Sequence, residues 1–217
     1  MSRGLFITFE GGEGSGKTTQ INKLAERLTE EKLRVLTTRE PGGTPEAEKI
    51  RDLLVQRGGG AWSPMAEILL LYAARVMHVE AVIKPALEEG KVVLCDRFTD
   101  STLAYQGYGH GMDLGEIKEL QTIVMGDFKP DLTVILDIDP GEGLQRSSRR
   151  LAAQELHVEQ TEDRFENLNI EFHNRLREGF LSIARSDMGR CAIIDASMEP
   201  NDIAREIYEF VSGKLEA

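Results

Sequence analysis

The sequence predicts an α/β fold in which helices cover both faces of a sheet of five parallel strands. Three observations lead there. Short apolar runs recur along the chain, amphipathic helical patterns lie between them, and a glycine-rich turn joins the first run to the first helix. Strands buried on both faces read as almost unbroken apolar runs, and their alternation with helices marks a doubly wound sheet.

Taken in order, the strands are expected at 5–9, 33–37, 92–95, 132–136 and 192–194, the run at 33–37 being the weakest. Ile21, Leu24, Ala25 and Leu28 follow the i, i+3, i+4, i+7 spacing of one apolar helix face. Ile50, Leu53 and Leu54 suggest a second helix. Residues 63–89 read as one long helix, with Ser63 as N-cap, Pro64 at the first helical position and Gly90 as the stop. Pro85 falls inside that pattern, so a kink or break is expected there. Ile203, Ile207, Phe210 and Val211 mark a C-terminal helix. In such sheets ligands bind at the carboxyl ends of the strands.

Composition sets outer limits. A chain of 217 residues suits one domain with a substantial core. No apolar run approaches the ~20 residues needed to span a bilayer, and MSRGLFITFE enters a strand pattern without an apolar signal region. A cytoplasmic protein with no membrane partner is expected. The formal charge of -11 argues against nucleic acid as a partner, since duplex binding needs a basic footprint. Cys95 and Cys191 sit in apolar runs and read as buried thiols. His78, His110, His157 and His173 show no metal-ligand spacing and read as surface or boundary residues.

The strongest motif is Gly11-Gly12-Glu13-Gly14-Ser15-Gly16-Lys17-Thr18, followed by Thr19. It fits G-x-x-x-x-G-K-[ST] between a strand and an amphipathic helix. Glycines let successive N–H groups turn toward phosphate oxygens, and the helix adds its positive end. Lys17 can reach the β and γ phosphates of ATP, and the Thr18 hydroxyl can ligate Mg2+. This loop alone does not separate kinases from GTPases or motors.

A second site follows the third strand, as Asp96-Arg97-Phe98 and then Thr99-Asp100-Ser101-Thr102-Leu103-Ala104-Tyr105-Gln106. At the carboxyl edge of the sheet Asp96 can hold Mg2+, and Arg97 can lie against transferring phosphates.

The stretch LCDRFTDSTLAYQ resembles the signature of thymidylate kinases. Arg39-Glu40-Pro41-Gly42-Gly43-Thr44, Ile50-Arg51-Asp52-Leu53-Leu54, Tyr72-Ala73-Ala74-Arg75 and Asp163-Arg164-Phe165-Glu166 resemble further motifs of that family, in order along nearly the whole chain. The resemblance implies a three-layer P-loop kinase fold with a helical lid around 146–164, a homodimer, and transfer from MgATP to dTMP. It also implies roles. Glu13 would lie near the acceptor sugar and metal. Arg51, Arg75 and Arg97 would surround the acceptor phosphate, with Arg75 also at the thymine edge. Ser101 belongs to the same signature, Thr102 and Gln106 would contact the base, and Tyr105 would pack beneath the deoxyribose. The Glu40–Pro41 bond would be cis. Leu71 stands where the family often has a base-stacking Phe. The phosphate loop carries no basic residue before Lys17, so the resemblance assigns the catalytic arginine to the lid, where Arg146, Arg149 and Arg150 cluster; Arg149 or Arg150 is the first candidate, with Arg164 in reserve. Two other readings stay open on residues alone. One is a kinase for another nucleoside monophosphate, and the other is a nucleotide-binding switch without turnover.

Overall fold

The computed structural model describes residues 3–56, 60–153 and 164–215. Five strands, β1 (Phe6–Glu10), β2 (Val35–Arg39), β3 (Val92–Asp96), β4 (Leu132–Asp137) and β5 (Cys191–Asp195), form one sheet in the order β2-β3-β1-β4-β5. Every pairing is parallel. The expected strands are all present, but each continues at its carboxyl end into a charged residue: Glu10, Arg39, Asp96, Asp137 and Asp195. Apolarity stops where the sheet edge turns toward solvent, whereas backbone pairing does not. Arg39 pairs in register with Asp96, and Phe9 pairs with Asp96 from the other side.

Helices α1 (Lys17–Glu30) and α9 (Pro200–Leu215) cover one face. Ile21, Leu24 and Leu28 of α1 and Ile203, Ile207 and Val211 of α9 pack there on Ile7, Phe9, Leu94 and Val134. The opposite face carries α3 (Pro64–His78), α4 (Lys84–Glu88), α6 (Leu114–Met125) and α8 (Ile170–Ser186). Phe6, Val93 and Cys95 meet Val79, Ile83 and Leu87 on that side, and Ile135 meets Phe172, Leu176 and Phe180. The alternation along β1, with Phe6 on one face and Ile7 on the other, divides the core in two.

The helix expected over 63–89 starts as predicted, with the Ser63 hydroxyl accepting from the Ala66 N–H and Pro64 at the first position. Pro85 does not break it. The turns before it, Val79–Ile83, widen into a π-helix, in which the Lys84 N–H reaches back to the Val79 carbonyl. A wider turn accommodates a ring that lacks an N–H and would crowd the carbonyl four residues earlier. A second π-helical stretch, Leu103–Gly109, continues the short α5 (Thr99–Thr102) and carries Tyr105 and Gln106. Helices α2 (Pro45–Val55) and α7 (Pro140–Ala152) complete the described elements. Cys95 and Cys191 are free and buried, as expected.

Candidate active site

The carboxyl ends of β1 and β3 open onto a cleft of about 470 Å³. Its wall is built first by the loop after β1. Gly11, Gly14 and Gly16 have φ of 134°, 67° and 89°, values that favour glycine and turn the loop around Lys17. Gly14 has a second reason to be glycine, because a Cβ there would run into the Gly143 carbonyl of α7. Lys17 is buried, and its Nζ donates to the carbonyls of Gly11 at 3.1 Å and Gly12 at 2.9 Å and to Ser15 Oγ at 3.2 Å. Burial, and after it the Arg97 charge, pushes the Lys17 amine down to about 8. An anionic ligand would repay that desolvation.

Arg97 follows β3 in the left-handed region, at φ 69°. A non-glycine residue there is uncommon and costs on the order of 1–3 kcal/mol. Its backbone N–H is held by the Phe9 carbonyl at 2.9 Å. The guanidinium then bonds Gly11 O at 3.1 Å and Ser101 Oγ at 3.2 Å, lies 3.3 Å from Glu13 Oε1, and stands 5.0 Å over the Tyr105 ring. Tyr105 donates its hydroxyl to the same Glu13 oxygen. Burial pushes the Glu13 carboxyl up, but Arg97 and then Lys17 outweigh it, so the group sits below its ordinary value. Burial raises the Tyr105 phenol well above its usual range, keeping it a donor.

Thr18 Oγ1 donates to Asp96 Oδ2 at 3.2 Å. Among the described residues no group of three or more His, Cys, Asp or Glu gathers to hold a metal. A hydroxyl beside one carboxylate nevertheless fits Mg2+, which keeps several waters and takes its remaining ligands from phosphates.

The other wall is a buried polar lattice. Arg75 is 2% exposed, and its Nε meets Glu40 Oε2 at 2.6 Å while Nη2 donates to Phe98 O at 3.1 Å and Thr102 Oγ1 at 3.2 Å. Glu40 also meets His78 Nδ1 at 3.0 Å, and the Glu40–Pro41 bond is cis as expected. Glu10 accepts from the Phe98 and Ser101 N–H groups at 2.8 and 3.3 Å, and from Ser101 Oγ at 2.5 Å. Arg51 Nη1 bonds Pro41 O at 3.0 Å.

Among the expected substrate residues, Arg51, Leu71, Arg75, Arg97, Ser101, Thr102, Tyr105 and Gln106 all line the cleft, as do loop residues 13–19 and Asp96. Gly11 and Gly12 stand behind it, where their carbonyls hold Lys17. In the expected lid, Arg146 and Arg150 line the cleft. Arg150 lies 3.6 Å from Glu166 and donates to Ser147 at 3.3 Å. Arg149 is exposed and not part of the lining. Arg164 binds the Leu54 carbonyl at 2.8 Å and the Glu67 carboxylate and is not part of the lining. Lid residues 154–163, including His157 and Asp163, lie outside the described residues.

Two expectations are corrected. His78 and His173 are buried, at 0% and 4% exposure, rather than at the surface. Each faces a buried carboxylate: Glu40 for His78, and Glu13 at 3.6 Å for His173. Glu10, Glu40, Glu67, Phe165 and Glu166 were not singled out from the sequence. The motif matches include Glu40, Phe165 and Glu166, but only tertiary pairing shows what they do.

The family model described as thymidylate kinase matches residues 9–207. The thymidylate kinase of Bradyrhizobium diazoefficiens is 48% identical over 213 residues, covering 98% of this chain and 91% of that protein. The thymidylate kinase of Nitrobacter hamburgensis is 51% identical over 206 residues, covering 95% and 87%. A crystal structure of thymidylate kinase from Ehrlichia chaffeensis matches with a TM-score of 0.76 at 37% identity, covering 96% of this chain and 99% of that one. With the phosphate loop, the carboxyl-edge cleft and its lining in place, these matches show that the chain belongs to the thymidylate kinase family.

Proposed function

We propose that this chain phosphorylates dTMP to dTDP at the expense of ATP with Mg2+ as cofactor, and that residues 1–217 form one kinase domain with a lid around 146–164. The observation that carries the reading is that one cleft joins the Lys17 loop to the Glu13–Tyr105–Arg97 cluster and to Arg75 and Gln106.

An oxygen of the dTMP phosphate attacks the γ phosphorus of ATP, the bond to the β–γ bridging oxygen breaks, and ADP leaves. The attacking oxygen is already anionic, so no strong general base is needed. Lys17 exchanges its loop carbonyls for phosphate oxygens and follows the charge as it moves to the leaving group. Thr18 and Asp96 would hold Mg2+, which would supply positive charge to offset that of the phosphates. Arg97, pinned between Gly11 and Ser101, orients the acceptor phosphate together with Arg51. Tyr105 presents its ring to the sugar, with its hydroxyl committed to Glu13. Arg150 closes over the phosphates from α7.

The protein acts as a cytoplasmic homodimer. No helix among the described residues is long and apolar enough to cross a membrane. Exposed Met65 and Leu69 on α3, which packs beside α6 with its exposed Ile123, supply an apolar face for a second copy. The test of the activity is ADP release from MgATP with and without dTMP. Release that depends on dTMP and yields dTDP supports the reading, and nucleotide binding without acceptor-dependent release would overturn it.

A further inference from the structure

Gln106 is 1% exposed and lines the cleft. Its Nε2 donates to Glu67 Oε2 at 3.1 Å, while its Oε1 is buried with no partner among the described residues. Glu67 is itself buried, on α3, and its second oxygen is bound by Arg164. A carboxylate held against a guanidinium offers only acceptors. It therefore takes the amine end of the Gln106 amide and leaves the carbonyl end without a partner among the described residues. Arg75 provides the opposite case. Its Nε and Nη2 are committed, but Nη1 is buried and has no partner among the described residues. Two residues of the cleft lining thus carry one buried unsatisfied acceptor and one buried unsatisfied donor.

Those two needs match one kind of pyrimidine. Thymine and uracil present an N3–H donor beside carbonyl acceptors. Cytosine presents an N3 acceptor beside an exocyclic amine donor, the reverse pattern. With cytosine, both Gln106 Oε1 and Arg75 Nη1 would stay unpaired in a dry site, which is the effective way to reject a near-isostere.

We propose that Glu67 is a specificity-determining positioning residue, which fixes the Gln106 amide so that the cleft offers an acceptor to the N3–H of thymine. It never touches the base. The inference rests on the dTMP kinase reading and adds to it the residue that sets base choice. The other partner of Glu67, Arg164, binds its second oxygen and holds the carboxylate in place.

The test is the ratio of kcat/KM for dTMP to that for dCMP, measured on enzyme already shown to transfer to dTMP. Failure of the parent reading would appear in the wild type, and failure of this inference only in the variants. In Glu67→Gln the residue can donate as well as accept, so Gln106 is free to turn. The ratio should fall roughly ten-fold or more, mainly through KM for dTMP. The swap Glu67→Gln/Gln106→Glu restores a fixed donor–acceptor pair with an acceptor facing the cleft, and should bring the ratio back to within a few-fold of wild type. If Glu67→Gln does not fold, the swap is compared with Gln106→Glu alone, which sets two carboxylates side by side and should lose the preference that the swap regains. An unchanged ratio in Glu67→Gln, or a proportional loss for both substrates that the swap does not repair, would overturn the inference.

Discussion

Replacing Glu10 with Gln should stabilise the protein at pH 8 and remove a pH dependence that the wild type shows. The Glu10 carboxyl has no exposure, and its value is pushed from 4.5 up to about 8, by burial first and by Asp100 next. The Ser101 hydroxyl, Arg97 and the Phe98 N–H pull it back only in part. One unit is 1.36 kcal/mol, so ionising this group in the fold costs on the order of 3–5 kcal/mol. The sign follows from linkage. Between pH 4.5 and about 8 the folded protein keeps a proton that the unfolded chain has released, so stability falls as pH rises through that window and levels off above it. Glutamine can accept from the same two N–H groups, at Phe98 and Ser101, and donate to Ser101 Oγ without ever ionising. Denaturant unfolding from pH 5 to 9 should show the wild type losing roughly 3–5 kcal/mol relative to Glu10→Gln by pH 8. Parallel curves over that window would refute the argument, because they would mean that Glu10 ionises at an ordinary pH despite its burial.

Lys17→Ala should nearly abolish transfer while leaving the fold intact, and near-normal turnover at saturating ATP would exclude the role given to Lys17. The same amine predicts proton uptake when MgATP binds near pH 8, since phosphate charge restores the proton that burial removes; calorimetry in buffers of different ionisation enthalpy should detect it in wild type and not in Lys17→Ala. Arg150→Ala should lower kcat by roughly 10³ or more. Arg149→Ala, which removes an exposed side chain outside the cleft lining, should stay within a few-fold, and equal losses for the two would contradict the placement of Arg150.

The order of strands and helices and the phosphate loop were legible because local chemistry dictates them. Buried parallel strands must be apolar, and a loop that cradles phosphate must be glycine-rich at fixed positions. The carboxyl ends were read short because Glu10, Asp96 and Asp137 break the apolar run at the edge where the site is built. The arginines and Tyr105 could be named from residue type and motif, but their partners could not. Arg75 meets Glu40 across 35 positions, and Gln106 meets Glu67 across 39. Pairing at that separation leaves no periodic trace in one sequence. His78 and His173 carry no sign of burial in the sequence for the same reason, since what makes burial tolerable is a distant carboxylate. The π-helical turns at Val79–Ile83 and Leu103–Gly109 were hidden too, although Pro85 announced that the first helix would be disturbed.

The most direct test of the whole account is kcat/KM for dTMP, dUMP, UMP and CMP under identical MgATP. The Tyr105 ring is held between the Arg97 guanidinium and the Phe165 ring, whose centroid lies 5.1 Å away; were the acceptor sugar packed on it as proposed, an added 2′-hydroxyl would be buried without a partner, at a cost of ~1–3 kcal/mol. The account predicts dTMP as the best substrate, dUMP behind it by a modest factor because Leu71 offers no π face, and UMP and CMP lower by roughly ten- to hundred-fold. UMP or CMP matching dTMP would contradict it.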